Sequence, residues 1–217
     1  MSEMPQILTA VEARILGVLI EKEKTTPDVY PLTLNSLTAG CNQKTSRDPV
    51  MSLGEAEIQS ALEELRSRSL VLETFGASGR VLRYAHNFGK VYRVPAAAVA
   101  LLAVLMLRGP QTVSELRANC DRLQHFADAS SVEGYLEELA GRAEGAYALK
   151  LAKQPGSREH RWAQLLCGEL PADTGNRQPR EGAAEGGDAE LKCRVARLEE
   201  EVAELRAALA RLGAVSP

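Results

Sequence analysis

Aromatic side chains make up only 4% of this chain, with a single Trp, so its 45% hydrophobic content is mostly aliphatic and ordinary for a soluble fold. Neither charge dominates. Lys and Arg number 26 against 29 Asp and Glu, a net charge of −3 that divides as −1 over residues 1–92, 0 over 93–170 and −2 beyond. That balance excludes a strongly basic nucleic-acid binder, so any DNA contact has to come from local patches. The four cysteines, at 41, 120, 167 and 193, form no CxxC pair, and His86, His125 and His160 lack zinc-finger spacing. No metal site is expected, and the thiols read as free in a reducing cytoplasm. The longest apolar run, Val94 to Leu107, falls short of the roughly 20 residues a bilayer needs, so no membrane partner is expected. The start, MSEMPQ, has no basic segment leading into an apolar one, and no secretory signal is expected.

Catalytic signatures are missing as well. HExxH, GxSxG, a P-loop and GxGxxG are all absent. The carboxylate pairs Glu63-Glu64 and Glu137-Glu138 fall on helices rich in exposed charge and read as solvated faces. No catalytic residue and no cofactor is expected, and the chain reads as non-enzymatic.

What the sequence does contain is a repeat. Ile58, Leu62 and Leu65 are echoed by Val132, Leu136 and Leu139, within copies about 74 to 86 residues apart. In each copy a helical stripe is followed by a turn and a strand pair. In the first copy Thr9 and Glu12 open a helix to about Lys24 with a capping box, a short helix spans about 32–41, and Ser52 with Glu55 opens a third to about Ser69. Leu70–Phe75 and Val81–Tyr84 then read as a hairpin. In the second copy Pro95 starts a helix that Gly109-Pro110 ends, Thr112 caps the next, and Ser130 with Glu133 opens the third. Its hairpin pairs Ala148–Lys153 with His160–Ala163, with Leu149 and Leu151 expected inward and Lys150 outward. Cys41 and Cys120 end the second helix of each copy, a matching place that argues for packing. Helix, helix, helix, hairpin is the order of a winged helix, and each copy is long enough to close its own core.

Beyond Cys167 the composition changes. Residues 169–188 are rich in Gly, Pro, Ala and charge and read as a flexible linker. Leu191, Val195, Leu198, Val202, Leu205, Leu209 and Leu212 then follow 4, 3, 4, 3, 4, 3 spacing. Mostly β-branched a positions with Leu at d favour a parallel two-stranded coiled coil, and Arg194 with Glu199 and Glu201 with Arg206 pair across such a dimer. The competing reading is a helix that folds back on its own domains.

The segments LTAVEARILGVLIEKEKTTPD and TTPDVYPLTLNSLTAGCNQKTSRDPVMSLGEAEIQSALEEL closely resemble the YceH-like group of bacterial proteins. The resemblance spans about residues 7 to 165 and is most specific over Thr26 to Met51. It implies two winged helices per chain and a cytoplasmic protein, with no agreed substrate or activity.

The expected architecture is therefore α+β and mostly helical. It comprises a winged-helix domain at 1–92, a second at 93–168, the linker at 169–188 and a coiled-coil helix at 189–213. Two functions fit it. One is a DNA-associated, transcription-regulatory protein acting as a homodimer on duplex DNA. Lys44 and Arg47 precede a helix N-terminus, where donors favour phosphate. Arg80 and Arg83 on the first hairpin, and Lys150, Lys153, Arg158 and Arg161 on the second, are candidate backbone contacts. Against it, the third helices carry Glu55, Glu57, Glu63 and Glu64, and Glu133, Glu137 and Glu138, which repel phosphate. The other function is a scaffold that uses the same modules to bind a protein partner.

Overall fold

The computed structural model describes residues 7–75, 79, 81–153 and 156–168. It is a mixed α+β fold with seven α-helices and two small antiparallel sheets among the described residues. These residues belong to one unit, Met1–Gly175. Linker residues 169–188 and the heptad positions Leu191 to Leu212 lie outside the described residues, as does Arg80.

Helix α1, Ala10–Thr25, begins as its capping box dictates: the Glu12 N–H donates to Thr9 Oγ1 and the Thr9 N–H to Glu12 Oε2. Its apolar positions bury Ile15, Leu16, Val18, Leu19 and Ile20. Helix α2, Leu34–Cys41, is capped by Thr33, and α3 spans Glu55–Ser67. The cap of α3 is Gly54, whose N–H donates to Glu57 Oε2 at 2.9 Å; the expected Ser52–Glu55 box does not form. Both backbone groups of Leu53 are held by the Asn42 amide, which keeps the chain extended past Ser52. Strands β1, Val71–Phe75, and β2, Leu82–His86, form the first hairpin, and Leu32 bridges to Tyr84.

A short helix that sequence patterning did not indicate, α4 at Phe88–Val91, leads into α5, Ala96–Arg108. Strand β3, Gln111–Thr112, and helix α6, Val113–Cys120, follow, with Thr112 and Glu115 making a capping box. Helix α7, Ala129–Ala140, is capped by Asp128, two residues before the expected Ser130. The Ser131 N–H donates to the Asp128 carboxylate at 2.8 Å, a charged acceptor and so the stronger cap. Glu133 is thereby left to meet Lys150. Strands β4, Ala148–Lys150, and β5, Arg161–Gln164, complete a sheet in the order β3-β5-β4. The order of elements repeats, consistent with the expected helix, helix, helix, hairpin unit. Even the Leu32 bridge of the first copy recurs as β3 in the second.

The copies do not close separate cores, contrary to expectation. Helices α1 and α5 pack against each other, and the buried apolar residues of both copies form one cluster. Every residue of α5 from Ala98 to Leu107 is buried, too apolar a surface for one small module to cover. Gly17 permits the approach: a β-carbon there would lie 2.8 Å from Leu107 Cγ. Three of the few aromatics fasten the junction. Phe88 and Tyr92 stack with ring centroids 4.4 Å apart, and Tyr92 meets Tyr147 of the second copy edge-on at 5.3 Å. Cys41 and Cys120 are both fully buried, and burial pushes each thiol up to about 12, the state of packed and unreactive sulfur.

Candidate nucleic-acid interface

The seven described candidate cations, Arg80 lying outside the described residues, have different surroundings. Arg47, in the loop after α2, is turned inward. Its guanidinium grips the Glu21 carboxylate of α1 at 2.6 and 3.1 Å and donates further to Gly40 O and Gln43 Oε1. Its side chain is fully shielded from solvent. Burial alone would raise the Glu21 carboxyl, but the hydrogen bonds and charge of Arg47, helped by Lys22, hold it below its ordinary value. Arg47 is therefore withdrawn from the expected phosphate contacts, because reaching a phosphate would leave the partly buried Glu21 with only the longer contact to Lys22, at 3.6 Å. Lys44, three residues earlier, is exposed.

The rest of this loop is also structural. Arg14, buried on α1, donates to Cys41 O and Pro49 O, the latter at 2.6 Å. Burial, then the neighbouring Arg47 charge, lowers its pKa. The Asp48 N–H donates to Leu107 O, and Arg108 Nη2 to Ser46 Oγ, so the loop stitches the first copy to the end of α5. Sequence reasoning passed over Arg14 and Glu21. A signal was present: Arg14 falls three residues after Val11, inside the apolar stripe, where a charged side chain must find buried partners.

On the first hairpin, Arg83 donates to Val29 O and Pro31 O and so braces the segment before α2. On the second, Lys150 is exposed, as expected, but it is not free. Its ammonium meets Glu133 at 2.8 Å and lies 5.4 Å from the Trp162 ring centroid, while Leu149 is the exposed neighbour. Lys150 pairs with Trp162 across β4 and β5, so its stem crosses the ring while the ammonium stays open; of the expected alternation, the inward place of Leu149 is what fails. Arg161 reaches Glu115 at 3.5 Å. Lys153 and Arg158, on either side of the hairpin tip, are exposed and carry no ion pair among the described residues. The acidic faces are as open as expected: Glu55, Glu57, Glu63 and Glu64 on α3, and Glu137 and Glu138 on α7, are all exposed.

Among the described residues no group of three His, Cys, Asp or Glu gathers to hold a metal ion. No described helix is long and apolar enough to cross a membrane.

Comparison with known proteins agrees with the resemblance. Residues 8–157 match a family described as a protein of unknown function, DUF480. A UPF0502 protein of Leptothrix cholodnii is 55% identical over 96% of this chain and 95% of its own length. One from Dechloromonas aromatica is 54% identical over 96% and 97%, and one from Acidovorax sp. strain JS42 is 53% identical over 94% and 92%. The chain belongs to this DUF480 family, the YceH-like group that the run from Thr26 to Met51 resembles.

Proposed function

We propose that the chain is a non-enzymatic, DNA-associated protein of two winged-helix units joined through their first helices, acting in regulation as a dimer held by its C-terminal heptads. The observation that carries this reading is the second hairpin. Lys150 and Arg161 are tied to carboxylates of the same chain, whereas Lys153 and Arg158 remain open at the tip, where a winged helix touches the DNA backbone. Lys44 adds a third open cation. Three phosphate contacts give weak binding without sequence preference and a slope of log affinity on log salt of about −2.7. The cheapest test is a salt titration of duplex binding by fluorescence anisotropy with the full chain. Binding that weakens with that slope supports the reading; no binding at low salt removes it.

The second reading, a scaffold for a protein partner, is favoured by the open carboxylates of α3 and α7. They repel phosphate by about 1 kcal/mol per close pair even in water, and they suit a basic protein surface. Native capture with and without nuclease separates the two: a protein retained after nuclease supports the scaffold.

A further inference from the structure

The junction between the copies contains a cleft of about 410 Å³ that neither reading uses. The last turns of α1 supply Ile20, Glu23 and Lys24, the end of β2 and α4 supply His86, Asn87 and Lys90, and the start of α5 supplies Ala96 and Val99. That volume lies in the range of small-molecule sites, and the composition has the usual form: an apolar floor with a few polar groups at the rim. Ile20, Val94, Val99 and Ala100 make the floor, each less than a tenth exposed.

The rim offers both signs of charge from different elements. Glu23 brings a carboxylate, half-open to solvent. It is paired to Lys24 at 3.2 Å, but an exposed pair between sequence neighbours is worth little and opens readily. His86 lies behind it. Its Nδ1 accepts the Phe88 N–H, so Nε2 carries the hydrogen; Nε2 sits 3.4 Å from Glu23 Oε2, is closed to solvent and has no hydrogen-bond partner. Burial lowers the His86 pKa against the opposing pull of the Glu23 carboxylate. On the other side Lys90 is exposed and unpaired among the described residues. Beside it the first turn of α5 opens at Ala96, because Pro95 at the cap has no side-chain acceptor for the free amides.

We infer that this cleft binds a small zwitterion with an apolar body, an aliphatic or aromatic α-amino acid. Glu23 takes the ammonium, Lys90 and the α5 amides take the carboxylate, and the apolar floor takes the side chain. A carboxylic acid without an amine leaves Glu23 facing it, and an amine without a carboxylate leaves Lys90 unused. A metal ion finds too few ligands in Glu23 and His86. The inference does not depend on DNA binding.

The test is thermal unfolding and isothermal titration of the full chain with a panel of apolar L-amino acids. L-Leucine is compared with 4-methylpentanoate, isoamylamine and glycine. The expected result is saturable binding and a raised melting temperature for at least one apolar amino acid, and neither for the three partial probes. Glu23→Gln and Lys90→Met each weaken binding about tenfold or more, as loss of a charged hydrogen bond does. Ala96→Trp, at an exposed position on the mouth, abolishes it, and the unliganded melting temperature of all three variants checks that they fold. Absence of saturable binding across the panel overturns the inference. So does equal binding of 4-methylpentanoate, or binding that survives Ala96→Trp.

Discussion

Arg47 and Arg158 look alike in sequence. Each sits in a short polar segment with a second cation nearby, and each is a plausible phosphate contact. In the fold they behave oppositely. Arg47 is a buried brace on Glu21, whereas Arg158 stands in solvent at a hairpin tip. The difference comes from what the rest of the chain offers. Residues 42–50 lie across two apolar helices, and one of them presents Glu21 from its last turns; a guanidinium there gains a bidentate partner and loses its water. Arg158 and Lys153, beside the second hairpin tip, are exposed and meet no carboxylate among the described residues. Local composition therefore identifies a cationic segment, and the tertiary neighbour decides whether its charge is structural or available.

The comparison can be broken most directly at Arg47. Arg47→Ala leaves the partly buried Glu21 with only Lys22 as its cation, and urea unfolding should show a loss of about 3 kcal/mol, the low end for breaking a buried pair. A loss no larger than a surface change would place Arg47 with Arg158. Next in size is Gly17→Val, which pushes α1 off Leu107 and should cost about 1–3 kcal/mol by overpacking. Because the copies share a core, far-ultraviolet circular dichroism and Trp162 fluorescence should report one coincident transition in this variant. Separate transitions would mean the copies are independent modules after all.

A pH series sharpens the same contrast. The folded Glu21 carboxyl titrates below its ordinary 4.5, so its contribution is fully present above 4.5 and is lost as pH falls through the lowered value. In Arg47→Ala, burial is opposed mainly by Lys22, the folded carboxyl moves up, and this part of the acid limb flattens. An unchanged acid limb would detach Glu21 from Arg47. The smallest effect belongs to the hairpin tip: Lys153→Ala with Arg158→Ala should shift stability by no more than about 0.5 kcal/mol.

Much of the fold was legible because it is local. The Thr9–Glu12 and Thr112–Glu115 boxes, the Gly109 stop and the matched Cys41 and Cys120 depend on residues a few positions apart, and each is found where expected. The caps of α3 and α7 were displaced by two residues for reasons far from the motif: the Asn42 amide holds Leu53, and Asp128 outcompetes Ser130. Strand β3 is two residues long and α4 four, too short to show a period. The union of the two cores was hinted at only by the unbroken apolar run of α5. For the candidate interface, sequence located the cations. It did not reveal which carboxylates would claim Arg47, Lys150 and Arg161, because those partners are 17 to 46 residues away on other elements.

The most direct measurement is the salt dependence of duplex DNA binding, made side by side on the full chain, Arg47→Ala under conditions where it remains folded, and the Lys153→Ala/Arg158→Ala double variant. The account predicts a slope of about −2.7 for the first two and about −0.9 for the double variant, which keeps only Lys44. A slope near zero in the parent chain, or one that collapses in Arg47→Ala and persists in the double variant, contradicts it.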